Sequence, residues 1–370
     1  MLITVLLFIL LLGLLVLVHE WGHFVVARKL GVRVEEFAFG FPPRLASITR
    51  KGTRYALNLF PLGGYVKIFG EGGEAERNPE SFSSRPIRQR LAIIAAGVVM
   101  NVVLAWVLFS IGHGLGLPTV LDEGETAEEA RITIIGVSPG SPAEAAGLKF
   151  GDVISGFRIQ DSPASPRLGR GRAEFRIAAI DEVQEFIEAH RGEAVAIVVE
   201  RGKKPLALTV TARVAPPEGE GPLGIAMARV GIVRSPWLRA PWDGVKTTVN
   251  AVVAIVAALG HVVRDLVSQG AVPADVAGPV GIFNLASETR RLGLVYLVEL
   301  AGVLSINLAI LNILPVPALD GGRILFLFIE KVRGGVRVSQ RLEQAVHQIG
   351  FVLLLFLMAA ITYRDIVRIF

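Results

Sequence analysis

The chain has 370 residues, of which 52% are apolar and 19% are charged, and its formal net charge is +5 at pH 7. Soluble domains carry about 25% charged residues, so this composition excludes an ordinary soluble enzyme, and it equally excludes a disordered chain. Residues 1–18 contain no charged side chain, and further long apolar stretches begin near Leu91, Leu292 and Ile349. The sequence therefore predicts a polytopic α-helical membrane protein.

Two features of the composition limit what this protein binds. The sequence contains no cysteine, which excludes disulfides, thiolate metal ligands and thiol nucleophiles. Its basic residues cluster beside the apolar stretches, a distribution typical of membrane topology rather than of a nucleic-acid-binding surface. We therefore expect no nucleic-acid partner, and any metal ion must be bound by His, Asp or Glu.

Residues 1–117 are predicted to form the first part of a membrane domain. A first span covers residues 1–26, a polar loop covers residues 27–90, and a second span covers residues 91–115. Basic residues follow the first span and none precedes it. This asymmetry predicts a retained helix with its N-terminus outside the cell and the following loop in the cytoplasm.

A β-hairpin is predicted within this loop, in residues 53–70. Tyr55, Leu57 and Leu59 alternate with polar or small neighbours, and a less strict alternation follows position 64. The segment 61–64 has the sequence Pro-Leu-Gly-Gly, which supplies a turn between the two strands. The exposed edge of such a hairpin offers unpaired N–H and C=O groups to another strand.

Residues 118–226 have the composition of a soluble, β-rich domain and are predicted to lie outside the cytoplasm. Candidate strands are Ile132–Val137, Ala194–Glu200 and Leu206–Arg213. A helix is predicted at Asp181–His190, with Asp181 as its N-cap.

Part of this insertion resembles a PDZ domain, namely the segments Ser138–Leu148 and Gly151–Ile154. Gly224 and Ile225 resemble the glycine-containing segment that follows such domains in the family named below. A PDZ domain binds a peptide by adding it as a strand to an exposed sheet edge, so Gly224 and Ile225 are candidate substrate-binding residues. The alternative is a folded unit that excludes large ectodomains without binding any peptide.

The remaining chain is predicted to contain a juxtamembrane segment and the second part of the membrane domain. Residues 227–291 are mixed in composition, and their apolar stretch 249–263 is shorter than the roughly 20 residues that cross a bilayer. We therefore expect an amphipathic helix there, which lies along the interface or packs beside the bundle. Residues 292–370 contain a third span at 292–314 and a fourth at 347–363.

A metal site is predicted at the inner end of the first span. His19 and His23 are four residues apart on a helix, so both imidazoles project from one face. This is the spacing at which two histidines share one Zn²⁺, and Glu20 then lies beside the open coordination position as a base. The alternative is a pair of interfacial histidines that only satisfy hydrogen bonds near the helix end.

A catalytic zinc site needs a third protein ligand, which in a chain without cysteine is another histidine or a carboxylate. Asp320 lies just past the third span, where prolines and glycines interrupt the helix, and irregular backbone at membrane depth is tolerated where it lines a cavity. With four spans Asp320 emerges on the same side as His23, whereas a fifth crossing at 249–263 places it on the opposite side. The alternative is that Asp320 only caps the following helix.

These motifs resemble the site-2 protease family of intramembrane zinc metalloproteases, and most closely its bacterial RseP-type members. The resemblance is carried by HEWGH at residues 19–23, NILPVPALDGG at residues 312–322 and the PDZ-like insertion, of which this chain has room for one. Gly97–Asn101 resembles the second-helix motif of the family, but Val98 stands where a proline is common, so no specific role follows for Asn101. The resemblance implies His19, His23 and Asp320 as zinc ligands, Glu20 as the catalytic acid/base, and Asn312 as a residue that orients the substrate or its oxyanion.

The resemblance also implies a function: a zinc-dependent endopeptidase of the bacterial cytoplasmic (inner) membrane in regulated intramembrane proteolysis. Its expected substrates are single-span membrane proteins, such as anti-sigma factors or remnant signal peptides, after an upstream site-1-type protease has removed their outer domain. Members of the family have a membrane-associated β element beyond the active-site helix. An unwound substrate that pairs with the hairpin edge there makes Gly64, Tyr65 and Val66 candidate substrate-binding residues, and the alternative is a purely structural hairpin.

Two other functions account for fewer of these features. A non-catalytic, PDZ-bearing membrane adaptor with a structural zinc site has no need for the base Glu20. A zinc-dependent transporter predicts paired inverted repeats or broken helices in both halves of the chain, and the sequence shows neither pattern.

Overall fold

The chain forms two compact units. The first is made from residues 1–112, 237–287 and 297–370, and the second from residues 113–236 and 288–296. The computed structural model describes residues 2–73, 77–121, 128–159, 179–202, 204–217, 219–269 and 278–369.

Most of the first unit is helical, because its segments are rich in the apolar residues that pack well in helices and in lipid. The part of the first helix before His19 carries no charged side chain, as expected of a helix surrounded by lipid and by other helices. In the two units together, the described residues form the helices α1 (Leu2–Lys29), α2 (Ile87–Leu115), α3 (Pro142–Ala145), α4 (Ile180–Ala189), α5 (Ala240–Gln269), α6 (Pro279–Leu292), α7 (Leu294–Ile313), α8 (Asp320–Val332) and α9 (Gln340–Ile369). Of these, α3 and α4 lie within the second unit.

Five of these helices, α1, α2, α5, α7 and α9, are long and apolar enough to cross a membrane. Together with the β-sheets they fit a polytopic membrane protein with a β-rich domain, as predicted. The apolar stretch 249–263 lies in a helix, as expected, but that helix is longer than the stretch, because α5 has 30 residues. Asp243 and His261 bound the apolar stretch in the sequence but do not interrupt the helix. Length therefore does not exclude a fifth crossing, and the count of four spans stays a prediction.

The β-hairpin of the first unit consists of β1 (Val34–Arg50) and β2 (Thr53–Ile68). Its turn is formed by Lys51 and Gly52, whose φ angles are 48° and 79°, and positive φ at both central residues is what a tight hairpin turn of type I′ requires. The predicted turn at residues 61–64 is wrong, because those residues lie inside β2. Proline followed by glycines is the stronger turn signal in the sequence, and here the long-range strand pairing overrides it.

These two strands fold back on themselves, so that the beginning of β1 is paired on both sides. Ala38 lies opposite Ala56 on one side and opposite Tyr65 on the other. Among the described residues, residues 64–68 pair only with the beginning of β1 and therefore form an edge of the sheet. This edge lies next to α1, since a Cβ on Gly64 would be 3.8 Å from Cγ of Glu20.

Apolar side chains join the sheet to the helices on which the candidate site is built. A buried cluster connects α1, the sheet, α2 and α8, and a smaller one connects α2 with α7. The members of the first are Phe24, Ala27, Val32, Val34, Phe37, Ile68, Phe82, Ile93, Ile94 and Leu327, and those of the second are Ala105, Phe109, Ile306 and Ile310.

A six-stranded antiparallel sheet with the strand order β3-β8-β4-β5-β6-β7 forms the second unit. Helix α4 packs on it through the buried residues Val183 and Ile187. The strands are β3 (Leu117–Val120), β4 (Glu128–Val137), β5 (Val153–Ile159), β6 (Ala194–Arg201), β7 (Lys204–Thr211) and β8 (Ile225–Val233).

The three strands predicted for this insertion are found in β4, β6 and β7, although β7 ends at Thr211. The predicted helix is α4, but its N-cap is Ala179, so the assignment of Asp181 as N-cap is wrong. Asp181 lies instead in the first turn, where a negative charge is favourable near the helix N-terminus. Strand β8 continues past residue 226, the predicted end of the inserted domain.

Candidate metal centre and active site

Three possible metal ligands from α1 and α8 meet in the first unit. The Nε2 atoms of His19 and His23 are 3.2 Å apart, and Oδ2 of Asp320 lies 3.1 Å from the first and 3.3 Å from the second. Both histidines are buried and Asp320 is largely so. Within the described part of the chain, this is the one group of three His, Asp or Glu side chains close enough to share a metal ion.

The positions of these three atoms fit a zinc ion. Bonds of about 2.0–2.1 Å in a tetrahedron require ligand atoms roughly 3.3 Å apart, which is close to the three observed distances. Oδ2 of Asp320 is buried, and the Nε2 atoms of the two histidines lie next to it, as expected of an oxygen that faces a metal. Burial by itself raises the pKa of Asp320, but its contacts with His19 and His23 hold that pKa below its usual range.

Contacts on the far side of each imidazole determine which nitrogen faces the site. Nδ1 of His23 lies 2.9 Å from the carbonyl oxygen of Ile93. Because a carbonyl oxygen only accepts, Nδ1 carries the proton and Nε2 is free to bind a metal. Nδ1 of His19 lies 3.2 Å from the side-chain amide of Asn101, which is fully buried in α2. For Nε2 of His19 to bind a metal, this amide must present its oxygen to the Nδ1 proton, so Asn101 fixes the orientation of His19.

Two glycines allow α1 and α2 to approach each other closely at this point. A Cβ on Gly97 would be 2.3 Å from Nε2 of His23, and a Cβ on Gly22 would be 2.4 Å from the carbonyl oxygen of Ala96. Any larger residue at either position requires the two helices to separate, because packed interiors leave no such space. In the segment 97–101, Gly97 therefore provides room for the two histidines, and Asn101 forms a hydrogen bond with His19.

Glu20 lies beside the three candidate ligands, between α1 and the edge of the sheet. Its carboxylate lies near the backbone N–H of Val66, and it is close enough to His23, His19 and Asp320 to interact with them electrostatically. The carboxylate is thus held next to the group of ligands rather than within it. This is the position that a proton acceptor for an attacking water requires.

The segment between α7 and α8 turns the chain so that Asp320 faces α1. Asp320 is the first residue of α8, and Gly321 and Gly322 follow it in the first turn. A Cβ on Gly321 would be 2.1 Å from the carbonyl oxygen of Leu314, and a Cβ on Gly322 would be 2.6 Å from that of Val316. Glycine is therefore required at both positions, because the loop folds back directly onto the beginning of the helix.

Two ion pairs fix the orientation of α8. Glu330 forms a bidentate pair with Arg90 of α2, at 2.9 and 2.5 Å, and both side chains are buried. Arg323, one turn after Asp320, pairs with Glu71, which lies in the loop 27–90 that is predicted to be cytoplasmic. Since bidentate and charge-assisted pairs are geometrically specific, they determine the direction in which Asp320 points.

The side chain of Asn312, at the end of α7, also reaches the candidate site. Its Nδ2 lies 3.4 Å from Nε2 of His19, and its role in orienting a substrate stays a prediction. The contact between Asn101 and His19 was missed by the sequence analysis. The available signal was the resemblance of residues 97–101 to the family motif, which was set aside because Val98 departs from it.

The remaining candidate substrate-binding residues lie in two places. Tyr65 is in the edge strand beside Glu20, and its hydroxyl donates a hydrogen bond to Glu36 at 3.1 Å. Gly224 and Ile225 belong to the second unit, at the beginning of β8. There the carbonyl oxygen of Gly224 accepts a hydrogen bond from the N–H of Ser138 at 2.8 Å.

The fold and the site together define a membrane protein with a candidate zinc centre built on an HExxH helix. The sequence profile of Peptidase family M50 matches residues 7–357. The chain is 30% identical to the zinc metalloprotease RasP of Shouchella clausii over 99% of each chain. It is also 30% identical to the regulator of sigma-E protease RseP of Escherichia coli over 98% of each chain. The chain therefore belongs to peptidase family M50, the site-2 protease family, as predicted, and it is a zinc metalloprotease and a multi-pass membrane protein.

Proposed function

We propose that this protein is a zinc-dependent intramembrane endopeptidase of the bacterial cytoplasmic membrane, which cleaves the membrane-spanning segments of anchored proteins. In this proposal His19, His23 and Asp320 bind the zinc ion and Glu20 is the catalytic acid/base. The observation that carries the proposal is the convergence of three ligand atoms within 3.3 Å of one another, with the Glu20 carboxylate beside them.

The chemistry follows from the positions of these side chains. Zinc supplies Lewis acidity, which polarises the scissile carbonyl and makes water a nucleophile at neutral pH. Glu20 takes a proton from the attacking water and then transfers it to the leaving nitrogen. In this proposal the N–H of Val66, which lies near the Glu20 carboxylate, holds it in position for both transfers. Asn312 donates a hydrogen bond to the carbonyl oxygen of the substrate as negative charge develops there.

We assign the edge strand, residues 64–68, the role of binding an unwound substrate. In this assignment the N–H of Val66 points away from β1 and toward Glu20, to which it lies close. Since main-chain groups alternate in direction along a strand, the carbonyl of Val66 and the main-chain groups of Gly64 face the same free edge. A substrate strand that pairs with Gly64–Val66, including Tyr65, replaces the hydrogen bonds lost when its helix unwinds. It also places the scissile peptide bond beside Glu20.

The second unit has, in our proposal, a PDZ-like peptide-binding role outside the cytoplasm. The part of β8 from Ile225 to Ala228 pairs with β4 on one side, whereas β3 pairs with β8 only from Val230 onward. Among the described residues the second edge of this part has no strand partner, and Ile225 packs against the same core as α4. A free strand edge near a helix is the geometry at which a peptide adds to a PDZ domain.

We further propose that α1, α2, α7 and α9 cross the membrane and that α5 lies at the interface. The most apolar 18-residue stretch of α5 has a mean hydropathy of 1.6, against 2.1–2.6 for the corresponding stretches of the other four helices. Trp237 and Trp242, just before and within its first turn, are exposed, and tryptophan is typical of the membrane–water boundary. With four crossings, Asp320 and His23 emerge on the same side of the membrane, which their contact requires.

The proposed activity is tested with the purified full-length protein and several single-span test substrates. Cleavage that stops with a zinc chelator and returns with added zinc is the expected result. Substrates shortened to mimic an upstream site-1-type cut should be cleaved faster than intact ones. Full zinc content without cleavage of any substrate would favour a non-catalytic membrane adaptor with a structural zinc site.

A further inference from the structure

The loop that carries Asp320 is held on one side by α9, a helix to which the proposed chemistry assigns no role. The N–H of Ala318 donates a hydrogen bond to Nδ1 of His347 at 2.9 Å. Nearly one turn further along α9, a Cβ on Gly350 would be only 2.3 Å from the Cβ of Pro317. His347 and Gly350 are three residues apart and share one face of the helix. They therefore contact two consecutive residues of the loop, shortly before Asp320.

The backbone conformation of this loop explains why it needs support. Ala318 has a φ of 78°, in the left-handed region that a residue with a Cβ rarely adopts. Such a conformation persists only where the surrounding structure fixes it. Leu319, the N-cap residue of α8, makes no side-chain capping hydrogen bond. The hydrogen bond to His347 is therefore a specific contact that fixes the chain two residues before Asp320.

His347 contacts both elements that determine where the Asp320 carboxylate points. Because Nδ1 accepts the bond from Ala318, the proton of the neutral ring is on Nε2. That atom is buried and has no hydrogen-bond partner among the described residues. The ring also packs against Phe326 of α8, with the ring centroids 5.6 Å apart. The polar contact of this histidine is thus directed at the loop, and its apolar contact is directed at the helix.

We propose that His347 is a positioning residue for the zinc ligand Asp320, acting through the hydrogen bond to Ala318, and that Gly350 provides the space in which the loop lies. This inference rests on the proposed function, because it takes Asp320 as the third ligand. Residues that orient metal ligands from behind change metal affinity about 10–100-fold when they are removed. A residue that only stabilised the fold would change the unfolding temperature but not the zinc affinity of the folded protein.

The test uses full-length variants that separate the hydrogen bond from the bulk of the ring. His347→Phe keeps an aromatic ring against Phe326 but lacks the acceptor. His347→Asn keeps an acceptor oxygen at the position of Nδ1 but lacks the ring. His261→Phe, at an exposed histidine of α5, is the matched control. Zinc affinity is measured by competition with a chelator, and thermal unfolding of the zinc-free protein is measured in parallel.

We expect His347→Phe to bind zinc at least about tenfold more weakly than the wild type, whereas His347→Asn and the control keep wild-type affinity. Gly350→Ala should also weaken zinc binding, and Gly260→Ala should not, because no heavy atom lies within 4 Å of its added Cβ. The two glycine variants decide the question if His347→Phe does not fold. Wild-type affinity in Gly350→Ala or His347→Phe, or equal losses in both His347 variants, would overturn the proposal.

Asp320→Ala distinguishes a failure of this inference from a failure of the proposed function. If Asp320→Ala binds zinc as tightly as the wild type, the ligand assignment itself is wrong, and the positioning role falls with it. If Asp320→Ala loses zinc while His347→Phe keeps it, the ligand assignment stands and only the positioning role is wrong.

Discussion

Replacing Gly97 by alanine adds one carbon atom at the point where α2 faces the two histidines. On the observed backbone this carbon would be 2.3 Å from Nε2 of His23 and 2.7 Å from Cε1 of His19. Ordinary contacts of a Cβ with another heavy atom begin at 3.4 Å, so the methyl group and the His23 nitrogen must separate by about 1.1 Å.

This displacement is large compared with the tolerance of a metal site. Metal–ligand distances stay within about 0.2 Å of their ideal values, so His23 must either leave the metal or push α2 outward. Inserting a methyl group into a packed interior costs about 1–3 kcal/mol. If only the zinc-bound geometry bears this cost, zinc affinity falls by roughly five- to 150-fold.

Chelator competition on purified Gly97→Ala measures this loss, and proteolysis is measured on the same sample. Gly260→Ala in α5 is the matched control, because its added Cβ meets no heavy atom within 4 Å. We expect weaker zinc binding for Gly97→Ala alone, and slower cleavage that excess zinc partly restores. Wild-type zinc affinity in Gly97→Ala would refute the reasoning, because the two imidazoles would then not bind the metal in the observed arrangement.

Three further predictions concern the third ligand, the edge strand and the topology. Asp320→Ala should lose bound zinc as well as activity, and full occupancy by atomic absorption would move the third ligand elsewhere. Backbone N-methylation of an extended peptide substrate should slow cleavage about fivefold, because each blocked hydrogen bond is worth about 1 kcal/mol. The effect should appear at alternate residues only, because every second N–H of a substrate strand paired with Gly64 and Val66 faces the edge strand. Equal effects at all positions would exclude strand pairing. Reporter fusions after residues 80, 200 and 340 should indicate cytoplasm, outside and cytoplasm, and a cytoplasmic signal at 200 would contradict the proposed topology.

The parts of the site that were predictable from sequence are those whose geometry is local. His19, Glu20 and His23 lie on one helix, so their spacing alone determines that they lie close together. Asp320 is far away in the chain, but the prolines and glycines around it indicated a non-helical segment at membrane depth. The requirement that it emerge on the side of His23 served as a consistency check, and the resemblance to the family implied its role as a ligand.

Contacts between distant helices were not predictable in the same way. Asn101 and His347 approach the site only because α2 and α9 pack against it in a particular rotation, and no local spacing records that rotation. Gly97 belongs to a segment that resembles a family motif, but the resemblance gives no physical reason for a glycine there. The reason is the short distance between an added Cβ and the His23 ring.

The errors in the predicted fold have equally specific causes. The hairpin turn was placed at residues 61–64, where proline and glycines cluster, although the chain turns at Lys51–Gly52. A lysine has no special preference for positive φ, so the true turn left little signal in the sequence. The full length of α5 was not visible in the sequence, because an apolar stretch ends at polar or charged residues, whereas a helix accommodates such residues on its polar side.

The central claim is that Glu20 acts as the proton acceptor and donor of a zinc-dependent cleavage. Glu20→Gln preserves the size of the side chain and an oxygen that can accept a hydrogen bond from the N–H of Val66, but an amide cannot take a proton from water. Zinc content and cleavage of a single-span substrate are measured together, with Glu185→Gln at an exposed position of α4 as the matched control. The account predicts wild-type zinc content in Glu20→Gln with cleavage reduced by about 10²–10⁴-fold, whereas near-wild-type turnover in that variant would contradict it.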